Sequence, residues 1–320
     1  MRLYTPPGLP PQSPLVVALH GCTQTGEGYA RAAGWLTLAD RYGFAVLCPE
    51  QTRGNNPNLC FNWYEPGDAA RDGGEAASIA AMVGRALADH ALDARRTFVT
   101  GLSAGGAMAA VMLATRPGMF AGGAVIAGLA YGAADSLAEA FGAMRQTRVA
   151  GPGSADKVRA ATGHRGPWPP LSIWHGENDT IVRPAAGEAL ARQWRELHGI
   201  DGEAVTMRTS AGREFLVWKS PAGAPVVELH RISGMGHGVP LKTGGVDGAG
   251  TAGPHMFDVG VSSSLEIAQG WGIADRRLDL GQSRAHLADP RPPARGAPAG
   301  AGHGVREVIE KALRSAGLMK

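Results

Sequence analysis

Short apolar runs alternate with longer amphipathic segments along most of the chain. Strands that are covered on both faces are apolar without alternation, so these runs predict buried β-strands. They lie at residues 14–19, 44–47, 97–100, 124–127, 171–174 and 226–232. Between them, apolar residues recur with helical spacing, which predicts amphipathic helices. The predicted helices lie at residues 29–42, 74–90, 104–115, 184–198 and 262–271.

This regular alternation of strand and helix predicts an α/β fold. A mostly parallel central sheet should be flanked by helices on both faces, with functional loops at the carboxyl ends of the strands. Residues 204–220 break the alternation, because their apolar residues repeat in period two around Ser210-Ala-Gly212. We interpret this segment as a β-hairpin inserted before the last central strand.

The composition changes sharply near residue 275. We expect the catalytic domain to span residues 1–274, because residues 289–298 are too rich in proline to build a packed core and indicate a linker. Residues 305–316 carry one short amphipathic pattern, which predicts a C-terminal helix on a tail of residues 275–320.

Composition and charge exclude several classes of protein. A chain of 320 residues with 44% hydrophobic residues can bury a full core. The net charge is only +3 and basic residues are dispersed, so we expect no nucleic-acid partner. No apolar run approaches the roughly 18 residues of a membrane span. The start, MRLYTPPG, lacks the pattern of a secretion signal, which favours a cytosolic location unless a signal lies outside this sequence.

Ser103 is the candidate nucleophile. It lies in Gly101-Leu-Ser-Ala-Gly105, although a G-x-S-x-G is expected roughly 0.3 times by chance in so glycine-rich a chain. Its position between a predicted strand and a predicted helix is the stronger signal, because a tight strand-to-helix turn lifts a nucleophilic serine above the sheet. The alternative is a serine that only caps the helix.

A reactive serine needs a base and an acid that orients the base, in the order serine, acid, histidine. Asp179 follows the strand at 171–174 and is the preferred acid, while Glu177 on the same loop is the alternative. His237 follows the strand at 226–232 among three nearby glycines, which suits a base that must reach the serine. His230 lies within that strand and is expected to be packed, and His175 is the weaker candidate for the base.

Two backbone amides are expected to stabilise the oxyanion. One is the N–H of Ala104, directly after the nucleophile. The second is expected from the loop after the first central strand, where Gly21 lets the backbone turn its amides toward the substrate. We assign it to Cys22, with Thr23 as the alternative.

These motifs together resemble the polyhydroxybutyrate depolymerase-like esterases of the α/β-hydrolase superfamily, which are relatives of feruloyl and acetylxylan esterases. The resemblance covers residues 3–271. Its motifs are Leu19-His-Gly-Cys-Thr-Gln24, Cys48-Pro-Glu-Gln51, Cys60-Phe-Asn-Trp63, Gly101-Leu-Ser-Ala-Gly105, His175-Gly-Glu-Asn-Asp179 and Gly236-His237. The combination of the first motif with the third is far more specific than the serine motif.

The resemblance implies an α/β-hydrolase fold without a large lid and an ester hydrolysis that needs no cofactor. Its substrates include short-chain polyhydroxyalkanoates and their oligomers. Carried over by position, Ser103, Asp179 and His237 form the triad. The resemblance also implies a disulfide between Cys22 and Cys60, which leaves Cys48 as a buried thiol.

A disulfide implies an oxidising compartment, so the resemblance points to an extracellular or periplasmic protein, against the cytosolic reading of the N-terminus.

An apolar ester should be bound by aromatic and aliphatic side chains. Trp63 is the preferred contact, with His20 beside it, and the glycine-rich loop at residues 242–254 is a candidate border of the cleft. Trp35, Trp194 and Trp271 lie on helical faces typical of core residues, whereas Trp174 fits either role.

Other functions fit the residues less well. No metal is expected, because no C-x-x-C pair exists and the histidines match no ligand motif. The histidines considered were His20, His175, His230, His237 and His255. A serine peptidase of this fold would usually carry a further domain, and a binding protein would usually have lost a triad member. Within esterases, the alternative is a feruloyl or acetylxylan esterase.

Overall fold

A nine-stranded sheet organises the part of the chain that the structure describes, in the order β1-β3-β2-β4-β5-β6-β9-β8-β7. The computed structural model describes residues 1–145, 153–208 and 213–275. The strands of this sheet are β1 (Arg2–Tyr4), β2 (Leu15–Leu19), β3 (Ala45–Cys48), β4 (Thr97–Leu102), β5 (Gly122–Ile126), β6 (Leu171–Gly176), β7 (Val205–Arg208), β8 (Arg213–Lys219) and β9 (Pro225–Ile232). A separate parallel pair joins β10 (Val239–Leu241) to β11 (Met256–Asp258).

The six central strands run parallel, so their carboxyl ends share one edge of the sheet. They are β3, β2, β4, β5, β6 and β9. The antiparallel pairs of this sheet lie at its two ends, where β1 pairs with β3, β8 with β9 and β7 with β8. The predicted mostly parallel sheet is therefore confirmed, and the loops after β2, β4, β6 and β9 are brought to the same side of the molecule.

Helices cover both faces of the sheet. They are α1 (Gly26–Ala32), α2 (Trp35–Tyr42), α3 (Gly74–Asp89), α4 (Ala104–Thr115), α5 (Leu137–Arg145), α6 (Ser154–Ala161), α7 (Ala185–His198) and α8 (Ser263–Gly270). Every residue of α4 is buried, in keeping with its composition of small and apolar side chains. In the described residues, no helix combines the length and apolar character required to cross a bilayer.

The predicted hairpin at residues 204–220 is present as the antiparallel pair of β7 and β8. The residues of its turn, 209–212, lie outside the described residues. Because β8 also pairs with β9, the hairpin extends the sheet beyond the last parallel strand. The predicted linker and tail helix also lie outside the described residues, whereas Met1–Ala274 form one compact unit.

The helix predicted at residues 29–42 is wrong in one respect, because the structure divides it into α1 and α2. Gly34 stands at the break with a φ of 88°, a backbone angle that residues other than glycine rarely adopt. A Cβ on Gly34 would lie 2.8 Å from the backbone nitrogen of Gly250. Part of the loop at 242–254 thus packs against the break, and the Thr251 N–H donates to the carbonyl of Ala32 at 2.9 Å.

Candidate active site

Ser103 occupies a sharp turn between β4 and α4. Its φ of 57° and ψ of −119° are unusual for a residue with a side chain, and such a conformation costs about 1–3 kcal/mol. The backbone holds it in place: the Ser103 N–H donates to the carbonyl of Ile126 at 2.9 Å, and its own carbonyl accepts from the Ala107 N–H at 2.8 Å. The side chain is left partly exposed at the carboxyl edge of the sheet.

Glycines let three backbone segments meet around this turn. A Cβ on Gly101 would lie 2.3 Å from the carbonyl oxygen of Gly105. A Cβ on Gly105 would in turn lie 2.3 Å from the carbonyl oxygen of Leu19, at the end of β2. The serine turn and the loop that follows β2 are therefore packed backbone against backbone, which explains both glycines of the G-x-S-x-G motif.

Asp179 is buried, with 1% of its surface exposed, and both of its carboxylate oxygens accept hydrogen bonds. Its Oδ1 accepts the backbone N–H groups of Ile181 and Val182, each at 2.9 Å. Its Oδ2 is 2.7 Å from Nδ1 of His237. Burial alone would raise the pKa of this carboxyl, but hydrogen bonds from His175 and His237 outweigh it and hold the pKa below its ordinary value. Asp179 is thus an anion that fixes the ring of His237.

Glu177, the alternative acid, points elsewhere. It is exposed and accepts a hydrogen bond from the hydroxyl of Ser233 at 2.7 Å. The structure therefore brings Asp179 to His237 and leaves Glu177 on the surface of the same loop.

Backbone hydrogen bonds set the distance between the two loops that carry Asp179 and His237. The Asn178 N–H donates to the carbonyl of Met235 at 2.9 Å, and the Glu177 N–H donates to the carbonyl of Ile232 at 3.0 Å. From the other side, Nδ1 of His255 bonds to the carbonyl of His237 at 2.8 Å. The histidine loop is therefore held from both directions, despite its glycines.

In the described residues, the hydroxyl of Ser103 and the ring of His237 are not joined by a hydrogen bond. Among the described residues, neither the hydroxyl of Ser103 nor Nε2 of His237 has a hydrogen-bond partner. Hydrogen bonds at catalytic sites often close only when substrate binds. Because Asp179 occupies Nδ1 of His237, Nε2 remains the nitrogen that can receive the serine proton.

The backbone amides expected to form the oxyanion hole differ in availability. The N–H groups of Cys22 and Ala104 have no hydrogen-bond partner in the described part of the chain. The N–H of Thr23 is already engaged, since it donates to the carbonyl of Asn58 at 2.8 Å. The geometry thus favours Cys22 over Thr23. A Cβ on Gly21 would lie 3.5 Å from the carbonyl oxygen of Leu102, which places this loop beside the serine turn.

The expectation that His20 contacts substrate is wrong. Its side chain is buried with 0% exposure, and both ring nitrogens have backbone partners. Nδ1 lies 2.8 Å from the carbonyl of Gly21, and Nε2 accepts the Gln51 N–H at 3.1 Å. Burial lowers its pKa, which favours the neutral ring that this arrangement requires. His20 therefore supports from within the loop at residues 20–24, the candidate oxyanion loop, and is closed to solvent.

Trp63 is also largely buried, with 6% of its surface exposed. Its segment is held by a buried polar network centred on Glu75, whose Oε2 accepts the Asn62 N–H at 2.8 Å. Gln51 and Asn55 donate to the other carboxylate oxygen. Burial raises the pKa of Glu75 to about 7. Sequence reasoning did not identify this network, because Glu75 lies in the first turn of α3 while its partners are scattered through a preceding loop that has no periodicity.

A disulfide joins Cys22 to Cys60, as the resemblance implied. It links the oxyanion loop directly to the segment that carries Trp63. Cys48 is the free cysteine of the described residues; it is buried, and burial raises the pKa of its thiol to about 12.

We expect loss of this disulfide to weaken both folding and activity. The bridge joins residues that are 38 positions apart, so the free energy of unfolding should be about 4 kcal/mol lower in the double variant Cys22→Ala, Cys60→Ala. Since residue 22 keeps its N–H but loses its tether, kcat/KM should fall about 100-fold, as for a misplaced oxyanion donor. Denaturant titration and ester hydrolysis measure the two effects. Cys48→Ala serves as the thiol control, and wild-type kcat/KM in the double variant would contradict a positioning role for the bridge.

Other predicted residues take structural positions. His230 is buried and stacks on Trp174, with ring centroids 3.8 Å apart, as expected for a packed residue. Trp35 and Trp194 are fully buried. Trp271 stacks on Phe98 with centroids 4.7 Å apart.

The sheet order, the strained serine turn and the position of the histidine and aspartate loops define an α/β-hydrolase fold. The family model described as "Esterase PHB depolymerase" matches residues 1–217. The chain belongs to this family of esterases.

The similar proteins include a poly(3-hydroxyalkanoate) depolymerase and acetylxylan esterases. Poly(3-hydroxyalkanoate) depolymerase C of Paucimonas lemoignei is 46% identical over 85% of this chain and 66% of its own length. An acetylxylan esterase of Coprinopsis cinerea is 33% identical over 75% of this chain and 65% of its own length. This chain thus spans slightly less than two thirds of each of these relatives. Among solved structures, an acetyl xylan esterase from Aspergillus awamori superposes with a TM-score of 0.70 at 25% identity, covering 85% of this chain and 93% of that one.

Proposed function

We propose that this protein is a serine carboxylic ester hydrolase that uses Ser103, His237 and Asp179. The observation that carries the proposal is the buried hydrogen bond of 2.7 Å between Asp179 and His237, on loops that share a sheet edge with Ser103. An aspartate that fixes Nδ1 of a histidine while Nε2 stays free is the arrangement that activates a serine.

In the proposed reaction, Nε2 of His237 takes the proton of Ser103 as the serine oxygen attacks the ester carbonyl. The tetrahedral intermediate collapses, His237 gives the proton to the leaving alkoxide, and an alcohol departs from the acyl-enzyme. Water then attacks the acyl group, with His237 again taking the proton, and a carboxylic acid leaves as the serine is restored. No cofactor takes part in this sequence.

Preorganised donors stabilise the oxyanion in both steps. The N–H groups of Cys22 and Ala104 are available for this role, and each such donor contributes about 10²–10³ in rate. The disulfide and the ring of His20 hold the first of these donors in place.

We propose short-chain polyhydroxyalkanoates, either as polymer or as oligomers, as the substrate. Support comes from the 46% identity to the Paucimonas lemoignei depolymerase. In this proposal, the small exposed part of Trp63, 6% of its surface, contacts the apolar chain of the substrate.

Acetylxylan or feruloyl ester hydrolysis is the second candidate. It is favoured by the similarity to the Coprinopsis cinerea acetylxylan esterase and by the superposition on the Aspergillus awamori structure. The same triad would serve, and only the alcohol and acyl subsites would differ.

We also propose an extracellular or periplasmic location. The disulfide between Cys22 and Cys60 is the support, because such bonds persist in oxidising compartments.

A substrate panel tests these proposals. Hydrolysis of 3-hydroxybutyrate oligomers, amorphous polyhydroxybutyrate, methyl ferulate and acetylated xylan is compared for the wild-type protein and Ser103→Ala. We expect the highest kcat/KM on hydroxybutyrate esters. The proposed function would be refuted if the wild-type protein hydrolysed none of these substrates faster than Ser103→Ala does. Preference for acetyl or feruloyl esters would instead establish the second candidate.

A further inference from the structure

His175 lies beside the acid but has no part in the proposed reaction. It stands near the end of β6, and its side chain is buried with 1% exposure. Its Nε2 is 2.9 Å from the carbonyl oxygen of Val182 and 3.4 Å from Oδ2 of Asp179. The same Oδ2 accepts the hydrogen bond of His237 at 2.7 Å. One carboxylate oxygen therefore lies between two histidine rings.

The surroundings of His175 fix its protonation. Both groups near Nε2 are oxygen acceptors, so Nε2 carries the hydrogen. Nδ1 is buried and has no hydrogen-bond partner among the described residues, and a Cβ on Gly187 would lie only 3.0 Å from it. A hydrogen on Nδ1 would be a buried donor without an acceptor, which is costly. The ring therefore donates from Nε2.

His175 also closes the acid loop on itself. The Val182 N–H donates to Oδ1 of Asp179, while the Val182 carbonyl accepts from His175. Val182 is therefore held from both its amide and its carbonyl, and the plane of the Asp179 carboxylate follows from this arrangement.

We propose that His175 is a positioning residue for the triad: its Nε2–H, donated to the Val182 carbonyl and lying 3.4 Å from Oδ2 of Asp179, holds the acid loop in place and offsets part of the negative charge that Oδ2 presents to His237. This inference rests on the proposed function. Removal of the donor should leave a more concentrated charge on Oδ2, which stabilises protonated His237, and should also let the carboxylate turn.

The other charged and titratable groups near His175 and His237 have partners of their own. Arg231 is the neighbour of His175 in the register on β9 and is paired with Glu188 of α7 and Glu214 of β8. His255 faces His237, with ring centroids 5.7 Å apart; it bonds to the His237 carbonyl, and burial lowers its pKa. The charged residue in contact with Nε2 of His175 is Asp179 itself.

The test compares His175→Phe, which keeps a ring and removes the donor, with His175→Gln, whose amide can place an N–H near the position of Nε2. For His175→Phe we expect kcat to fall about tenfold with KM within about twofold. The acid limb of kcat/KM should move up by about half a pH unit, because His237 holds its proton more tightly. His175→Gln should restore the wild-type acid limb and most of kcat.

Wild-type kcat and an unshifted acid limb in a folded His175→Phe variant would overturn the proposal, as would equal effects of both substitutions. If His175→Phe does not fold, His175→Asn replaces it, because the shorter amide cannot reach Val182 and Asp179. Ser103→Ala is measured in the same assay. Residual activity there would refute the proposed function itself, whatever His175 does.

Discussion

Replacement of Ser103 by alanine is expected to lower kcat by about 10⁶-fold, to the level that binding and the oxyanion donors alone provide. In the proposed reaction the hydroxyl oxygen of Ser103 forms the acyl-enzyme, and no other serine stands on the turn between β4 and α4. Hydrolysis of a p-nitrophenyl ester and of 3-hydroxybutyrate oligomers measures the loss, and circular dichroism checks that the fold is unchanged.

A second substitution at this position separates catalysis from folding. Ser103→Gly removes the same hydroxyl but also relieves the cost of a φ of 57°, so it should be about 1 kcal/mol more stable than Ser103→Ala and equally inactive. Activity retained in either variant would show that the serine only begins the helix.

Asp179→Asn is expected to lower kcat by about 10⁴-fold. The N–H groups of Ile181 and Val182 both point at Oδ1, so the amide oxygen must take that place. The amide NH₂ then faces His237 and donates to Nδ1, which leaves the hydrogen on Nε2. That tautomer cannot accept the proton of Ser103. Steady-state kinetics between neutral and alkaline pH measure the loss.

Glu177→Gln is the matched control, because Glu177 lies two positions away on the same loop but is exposed and bonded to Ser233. We expect its kcat within about twofold of wild type. An inactive Glu177→Gln beside an active Asp179→Asn would reverse the assignment of the acid.

The parallel core of the sheet was predictable from sequence, because strands such as β2 and β3 are continuous apolar runs without alternation. The short edge strand β1 was not, since three residues carry no pattern. The break between α1 and α2 was missed for a different reason. It depends on Gly34 meeting a loop more than two hundred residues further on, and periodicity contains only local information.

At the candidate site, too, local sequence patterns were predictive and contacts made only on folding were not. Serine, acid and histidine were predicted from their order along the chain, but Asp179 and Glu177 could be separated only by the direction of the amides of Ile181 and Val182. His20 was misassigned because a motif gives position and not side-chain direction. The role of His175 depends on a contact with Val182 on the folded loop, and the sequence gives only its spacing from Asp179.

The packing of Gly101 and Gly105 against main-chain oxygens limits how this enzyme can be engineered. A Cβ at either position would lie 2.3 Å from a main-chain carbonyl oxygen, that of Gly105 or that of Leu19, which no mutation removes and no rotamer change can move. Libraries aimed at new substrates should therefore leave the serine turn and the end of β2 unchanged. Diversity is better placed in a surface segment such as 251–254, where the residues are exposed and a library retains its folded fraction.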